Sequence, residues 1–115
     1  MKKYLLAVGL SLCAVGSASA AANAPYMSTE QMVKACQSGA MAFCDGYAQG
    51  VYDMYLASRH PSKNPPFLCM PSPGPSRASV IKGFVAWAGQ NPQYAQLPAA
   101  DSMMRYMAGV FPCKK

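Results

Sequence analysis

Apolar and polar positions recur with a helical period in four stretches of the chain, and no stretch alternates convincingly as a strand would. Ser28, with Gln31 three residues on, forms a capping-box pattern, and the helix it opens is predicted to run to about residue 37, where Ser38-Gly39 is a stop signal. A second helix is predicted over 40–58. At 100° per residue, Phe43, Tyr47, Gly50, Val51 and Met54 fall on one stripe with Cys44 at its edge, so this stripe is expected to face the core; Asp45, Gln49 and Tyr52 lie opposite. Residues 59–75 cannot be helical, because His60-Pro61, Asn64-Pro65-Pro66, Met70-Pro71 and Pro73-Gly74-Pro75 interrupt every period. Ser76 is placed to cap a third helix ending near Gly89, with Val80, Ile81, Phe84, Trp87 and Ala88 on one face. Asn91-Pro92 turns the chain, and Pro98 suits the first position of a fourth helix carrying Met103, Met104, Met107, Val110 and Phe111 on one side. The pattern predicts an all-α, four-helix domain with a long Pro-rich loop. Phe43, Tyr47, Val51, Phe84, Trp87, Met107 and Phe111 are expected to meet in its core.

The first twenty residues read as an address. Met1-Lys2-Lys3 is a basic start, the run from Tyr4 to Val15 is apolar, and Ser17-Ala18-Ser19-Ala20 is a small-residue cleavage pattern. A secretory signal peptide over 1–20, or 1–22, is expected, leaving a domain over 23–115. The apolar run is too short to span a bilayer, so no stable membrane anchor is expected. Leu12 precedes Cys13 where a lipidation signal wants a small residue. Loss of the leader removes Lys2 and Lys3, so the formal charge of +6 falls to about +4.

The same cleavage changes the cysteine count from odd to even. Cys36, Cys44, Cys69 and Cys113 remain, and four cysteines in an exported chain of about 95 residues imply two disulfides. On one continuous helical rod Cys36 and Cys44 would stand about 12 Å apart, beyond disulfide reach. The Ser38-Gly39 break folds the rod into a hairpin and brings this pair together, which leaves Cys69 to join Cys113 and tie the loop to the C-terminus. Cysteine spacings lack the short pairs of a zinc knuckle.

These residues offer little catalysis. Four acidic residues and one histidine leave scant material for two-carboxylate or histidine chemistry. A Cys–His pair would need a free thiol near His60, and the cysteines are committed elsewhere. No Gly-rich loop follows a strand, so no phosphate cradle is expected. Met103, Met104 and Met107 fit core packing better than thioether coordination of copper. No cofactor, metal or enzymatic activity is expected. The scattered Lys and Arg do not form a nucleic-acid footprint. Gly46 and Gly50 on the second helix, and the weakly charged outer face of the third at Ser79, Lys82, Gly83 and Ala86, suggest packing or interaction instead. A small periplasmic stress chaperone is the competing reading, weakened by the shortage of groups that titrate on acidification.

The string Cys44-Asp45-Gly46-Tyr47-Ala48-Gln49-Gly50-Val51-Tyr52-Asp53 resembles the C-x-G-Y-x-x-G-V-x-D motif of the Rap/Tai immunity proteins. The similarity continues through Cys36, Cys69-Met70-Pro71, the third helix, the Asn91-Pro92 turn and Phe111-Pro112-Cys113. The resemblance implies a small, helical, disulfide-linked periplasmic inhibitor. Its partner would be a peptidoglycan amidase delivered by type VI secretion, and a homodimer is a further expectation. It marks Gly46, Tyr47, Gly50 and Asp53 as family-motif positions. For toxin contact, Arg59, His60, Lys63 and Asn64 of the Pro-rich loop offer hydrogen-bond donors. The third-helix residues Ser79, Lys82, Gly83 and Ala86 offer a second surface for the toxin or a second copy.

Overall fold

The computed structural model describes residues 25–59 and 65–114; the leader, His60, Lys63 and Asn64 lie outside this set. Four helices form: α1 (Thr29–Gln37), α2 (Met41–Ser58), α3 (Arg77–Gln90) and α4 (Ala99–Val110), with a 3-10 turn at Pro92–Tyr94 before α4. The only β pairings among the described residues are two isolated bridges, Ser28 with Pro98 and Leu68 with Pro112.

The start of α1 is held from both sides. The Ser28 side chain accepts from the Gln31 amide while the Gln31 side chain accepts from the Ser28 amide, so two orphan donors are satisfied together. Thr29 and Ser102 are buried polar residues, and their hydroxyls share a 2.6 Å hydrogen bond that ties α1 to α4. The Thr29 hydroxyl also lies 3.0 Å from the Leu97 carbonyl. At the other end of α1, Gly39 takes φ +94°, a left-handed conformation open to glycine at little steric cost. That turn reverses the chain, and Cys36 meets Cys44 in a disulfide with its Cα atoms 5.7 Å apart. A second disulfide joins Cys69 to Cys113. By loop closure the shorter bridge contributes about 2.6 kcal/mol and the longer about 4 kcal/mol, a large share of the roughly 5–10 kcal/mol net stability of such a domain.

The core draws on all four helices: Met32 and Cys36 of α1, Cys44, Ala48 and Tyr55 of α2, Val80, Ile81 and Phe84 of α3, and Ala99, Met103, Tyr106 and Met107 of α4. The α3 face is the one its period predicts. The α2 face is not. Cys44, Ala48 and Tyr55 point inward, Tyr52 packs beside them, and Phe43 and Met54 are 44% and 67% exposed. Both sides of α2 are apolar, so hydrophobic period alone does not choose between them. The Cys36–Cys44 bridge decides, because it turns Cys44 and the residues in line with it toward α1. Of the seven residues expected in the core, Phe84 and Met107 are buried. Tyr47, Val51, Trp87 and Phe111 are half-buried against it, and Phe43 lies outside. On α4, Val110 is exposed, and Tyr106 and Ser102 take inward positions.

Gly83 is not on an open face. A Cβ built there would strike the Tyr106 hydroxyl and lie 2.9 Å from Tyr106 Cζ, so the missing side chain lets α4 press its tyrosine onto α3. Tyr106 also packs on Phe84 and Trp87, at centroid distances of 6.1 and 6.2 Å. Replacing Gly83 with Ala is therefore expected to lower stability by about 1–3 kcal/mol through overpacking, despite the better helix propensity of Ala. Adding Tyr106→Phe, which removes the nearest atom, should recover part of the loss. Denaturant unfolding of both variants checks this; an unchanged midpoint for Gly83→Ala would show that the contact relaxes freely.

Candidate functional site

The flank of α2 beside its core face forms one wall of an open groove of about 850 Å³. Tyr47, Gly50, Val51 and Met54 line that wall, Ala100 and Met104 of α4 face it, and Phe67 closes one end. The stripe predicted as core is therefore in large part the lining of an apolar depression. Gly50 deepens it, for a Cβ there would meet nothing within 4 Å. The same holds at Gly46, so neither glycine is needed for helix–helix approach within the monomer.

Tyr55 builds the end of the groove. Its hydroxyl donates to the Leu68 carbonyl at 3.1 Å and accepts from the amides of Phe67 and Leu68, at 3.2 and 3.1 Å. A single buried phenol thus satisfies three backbone groups of an irregular segment. The Phe67 ring meets the Tyr55 ring edge-on at 4.8 Å. Leu68 is buried, and next to it the Cys69 amide donates to the Phe111 carbonyl at 2.8 Å, alongside the Cys69–Cys113 disulfide. The loop returns to the helices at a point held by one phenol, one disulfide and one backbone pair.

Two charges flank the apolar lining. The Arg59 guanidinium lies over the Tyr55 ring, 5.4 Å from its centroid, and its Nε is enclosed without a hydrogen-bond partner among the described residues. Asp101 binds Arg105 at 2.8 Å, and that hydrogen bond holds the Arg105 guanidinium above its ordinary range. Burial pushes the Tyr47 phenol above its ordinary value. Nothing in this arrangement pairs a nucleophile with a base. Among the described residues, no three His, Cys, Asp or Glu side chains stand together as metal ligands would.

The structure gathers some of the singled-out residues and separates others. Tyr47, Gly50 and Arg59 line the groove. Asp53, on the exposed side of α2, accepts from the Gln49 side chain at 2.8 Å. Ser79, Lys82 and Ala86 are exposed on α3 and take no part in the groove, while Gly83 is half-buried beneath Tyr106. Tyr55, Phe67 and Met104 were not anticipated as site residues. Tyr55 stands three residues beyond Tyr52, and only the loop partners it meets distinguish its role.

The family model of the Rap1a immunity proteins matches residues 28–113, from the α1 cap to the second disulfide. No curated protein and no solved structure matches the chain.

If the Tyr55 hydroxyl organises the groove end, Tyr55→Phe should cost about 1–3 kcal/mol, since buried amides lose their acceptor. Amide exchange should accelerate at Phe67 and Leu68 well beyond the change in global stability. Exchange that rises uniformly across the domain would instead assign Tyr55 a general packing role.

Proposed function

Because the chain belongs to the Rap1a immunity protein family, a family of inhibitors rather than enzymes, we propose that it binds a peptidoglycan amidase toxin of type VI secretion and blocks its active site in the periplasm. The observation that carries this reading is the extent of the family match, which spans every helix of the domain. In this reading residues 1–20 or 1–22 are the export leader, and residues 23–115 act after cleavage. The two disulfides suit an oxidising compartment. Among the described residues no helix is long and apolar enough to cross a membrane.

Two surfaces are candidates for the toxin contact. The Pro-rich loop that leaves α2 at Arg59 is our first choice, with Arg59, His60, Lys63 and Asn64 as donors to a groove that normally accepts an anionic peptide stem. The exposed α3 residues Ser79, Lys82 and Ala86 serve a second copy in a homodimer, or a second toxin contact. Gly83 leaves that set as a contact residue and remains as packing support.

A stress chaperone would need folded-state contacts that acid dissolves. Glu30, held below its ordinary range by its hydrogen bond to Lys34 and then by Gln96, contributes only above that lowered value and loses its contribution as pH falls through it. This carboxylate is exposed, and such a pair is too weak to trigger a switch.

The test pairs the mature protein with secreted peptidoglycan amidases as candidate toxins, taking first any whose gene lies beside its own. Arg59→Glu with Lys63→Glu should abolish protection of cells that express the amidase in the periplasm, and should weaken binding by at least about tenfold. Full protection by this double variant, with loss of protection on Lys82→Glu, would move the toxin contact to α3. A wild-type protein that binds no amidase would overturn the immunity reading.

A further inference from the structure

We propose that the groove between α2 and α4 is the seat of an apolar anchor on the toxin, an exposed aliphatic or aromatic side chain with a carboxylate beside it. The carboxylate pairs with Arg59. This inference rests on the immunity reading above and adds to it a surface and the chemistry of the residue that fills it.

Three observations lead to this occupant. The groove walls are apolar, yet Met54 and Phe67 on its rim are 67% and 54% exposed, an arrangement that favours a partner's side chain over water. Its floor is open because position 50 is glycine, and a concave apolar pocket of this size accepts one or two large side chains. Arg59 stands on the lining, pinned over the Tyr55 ring with its Nε enclosed, so its outer N–H groups are already oriented and lose little freedom on pairing.

Charge decides between a toxin and a second copy. With Lys2 and Lys3 of the leader removed, the ten Lys and Arg fall to eight, against four acidic residues. Glu30 is paired with Lys34 and Asp101 with Arg105, and Asp53 holds Gln49. Asp45 keeps one carboxylate oxygen enclosed beneath the surface. Among the described residues Asp53 alone is then an exposed carboxylate without a basic partner, so a second copy has little acid to offer Arg59. A partner that brings its own acid beside an apolar side chain satisfies both ends of the groove and fits the sign of the whole protein.

The decisive variant is Gly50→Trp. It places a large side chain in the groove from a position where a Cβ meets nothing within 4 Å, and replaces glycine in a helix interior with a better helix former, so the fold is expected to persist. Mature wild type, Gly50→Trp, Arg59→Gln and Met104→Glu are titrated with the same purified amidase by calorimetry. Helical content and sedimentation are measured alongside. Gly50→Trp should weaken binding at least about 30-fold, as loss of a central anchor does. Arg59→Gln should weaken it about tenfold, with a shallower salt dependence. Wild-type binding with unchanged affinity in Gly50→Trp would overturn the groove inference and leave the immunity reading intact. A change in oligomeric state in Gly50→Trp, with amidase affinity retained, would overturn it in favour of a second copy. Absence of wild-type binding would overturn both.

Discussion

Among the described residues of the segment that follows α2 none lies in a helix or strand before α3, and the structure depends on how that segment is fastened. Cys69 is joined to Cys113, its amide donates to the Phe111 carbonyl, and Leu68 pairs with Pro112. Immediately before it, the Tyr55 hydroxyl takes up the backbone groups of Phe67 and Leu68. The chain after α2 is thereby fixed at the end of α4, and α3 starts from a defined place. A closure spanning 44 residues constrains the unfolded chain strongly, while Tyr55 supplies the native geometry that the bridge alone would not determine.

That fastening also gives α2 its two faces. One face, through Cys44, Ala48 and Tyr55, is turned inward by the Cys36 bridge and the Tyr55 clamp. The adjoining apolar stripe, about a quarter turn round the helix, is then left partly at the surface, where α4 and Phe67 flank it as a groove. A helix that is apolar nearly all round is ordinarily buried. Here the domain has too few other elements to cover α2 fully, and the part left open carries Gly50 and Met54. The same residues that defeat a simple core assignment are the ones that suit binding.

Local rules made much of the fold legible. The Ser28–Gln31 box, the Gly39 reversal, the prolines of the long loop and the Ser76 cap each act over a few residues, and the helix boundaries follow from them. The α3 core face was legible because its apolar residues occupy one side. The inward face of α2 was not, since the choice rests on partners distant in sequence. Gly83 was misplaced for the same reason: its need for Tyr106 is a tertiary contact that no spacing records. The Thr29–Ser102 hydroxyl pair and the Tyr55 clamp likewise join residues whose separate positions look ordinary. Of the candidate site, Arg59, Tyr47 and Gly50 were in view, but their convergence required the fold.

The account stands or falls on where a partner touches the molecule. The direct measurement is backbone amide shift mapping of the isotope-labelled mature protein, titrated with an amidase that it protects against. The account predicts the largest changes over residues 47–59, at Phe67 and over residues 100–104, the segments that contribute the groove lining. Changes concentrated over residues 79–86, with the groove segments unmoved, would contradict it.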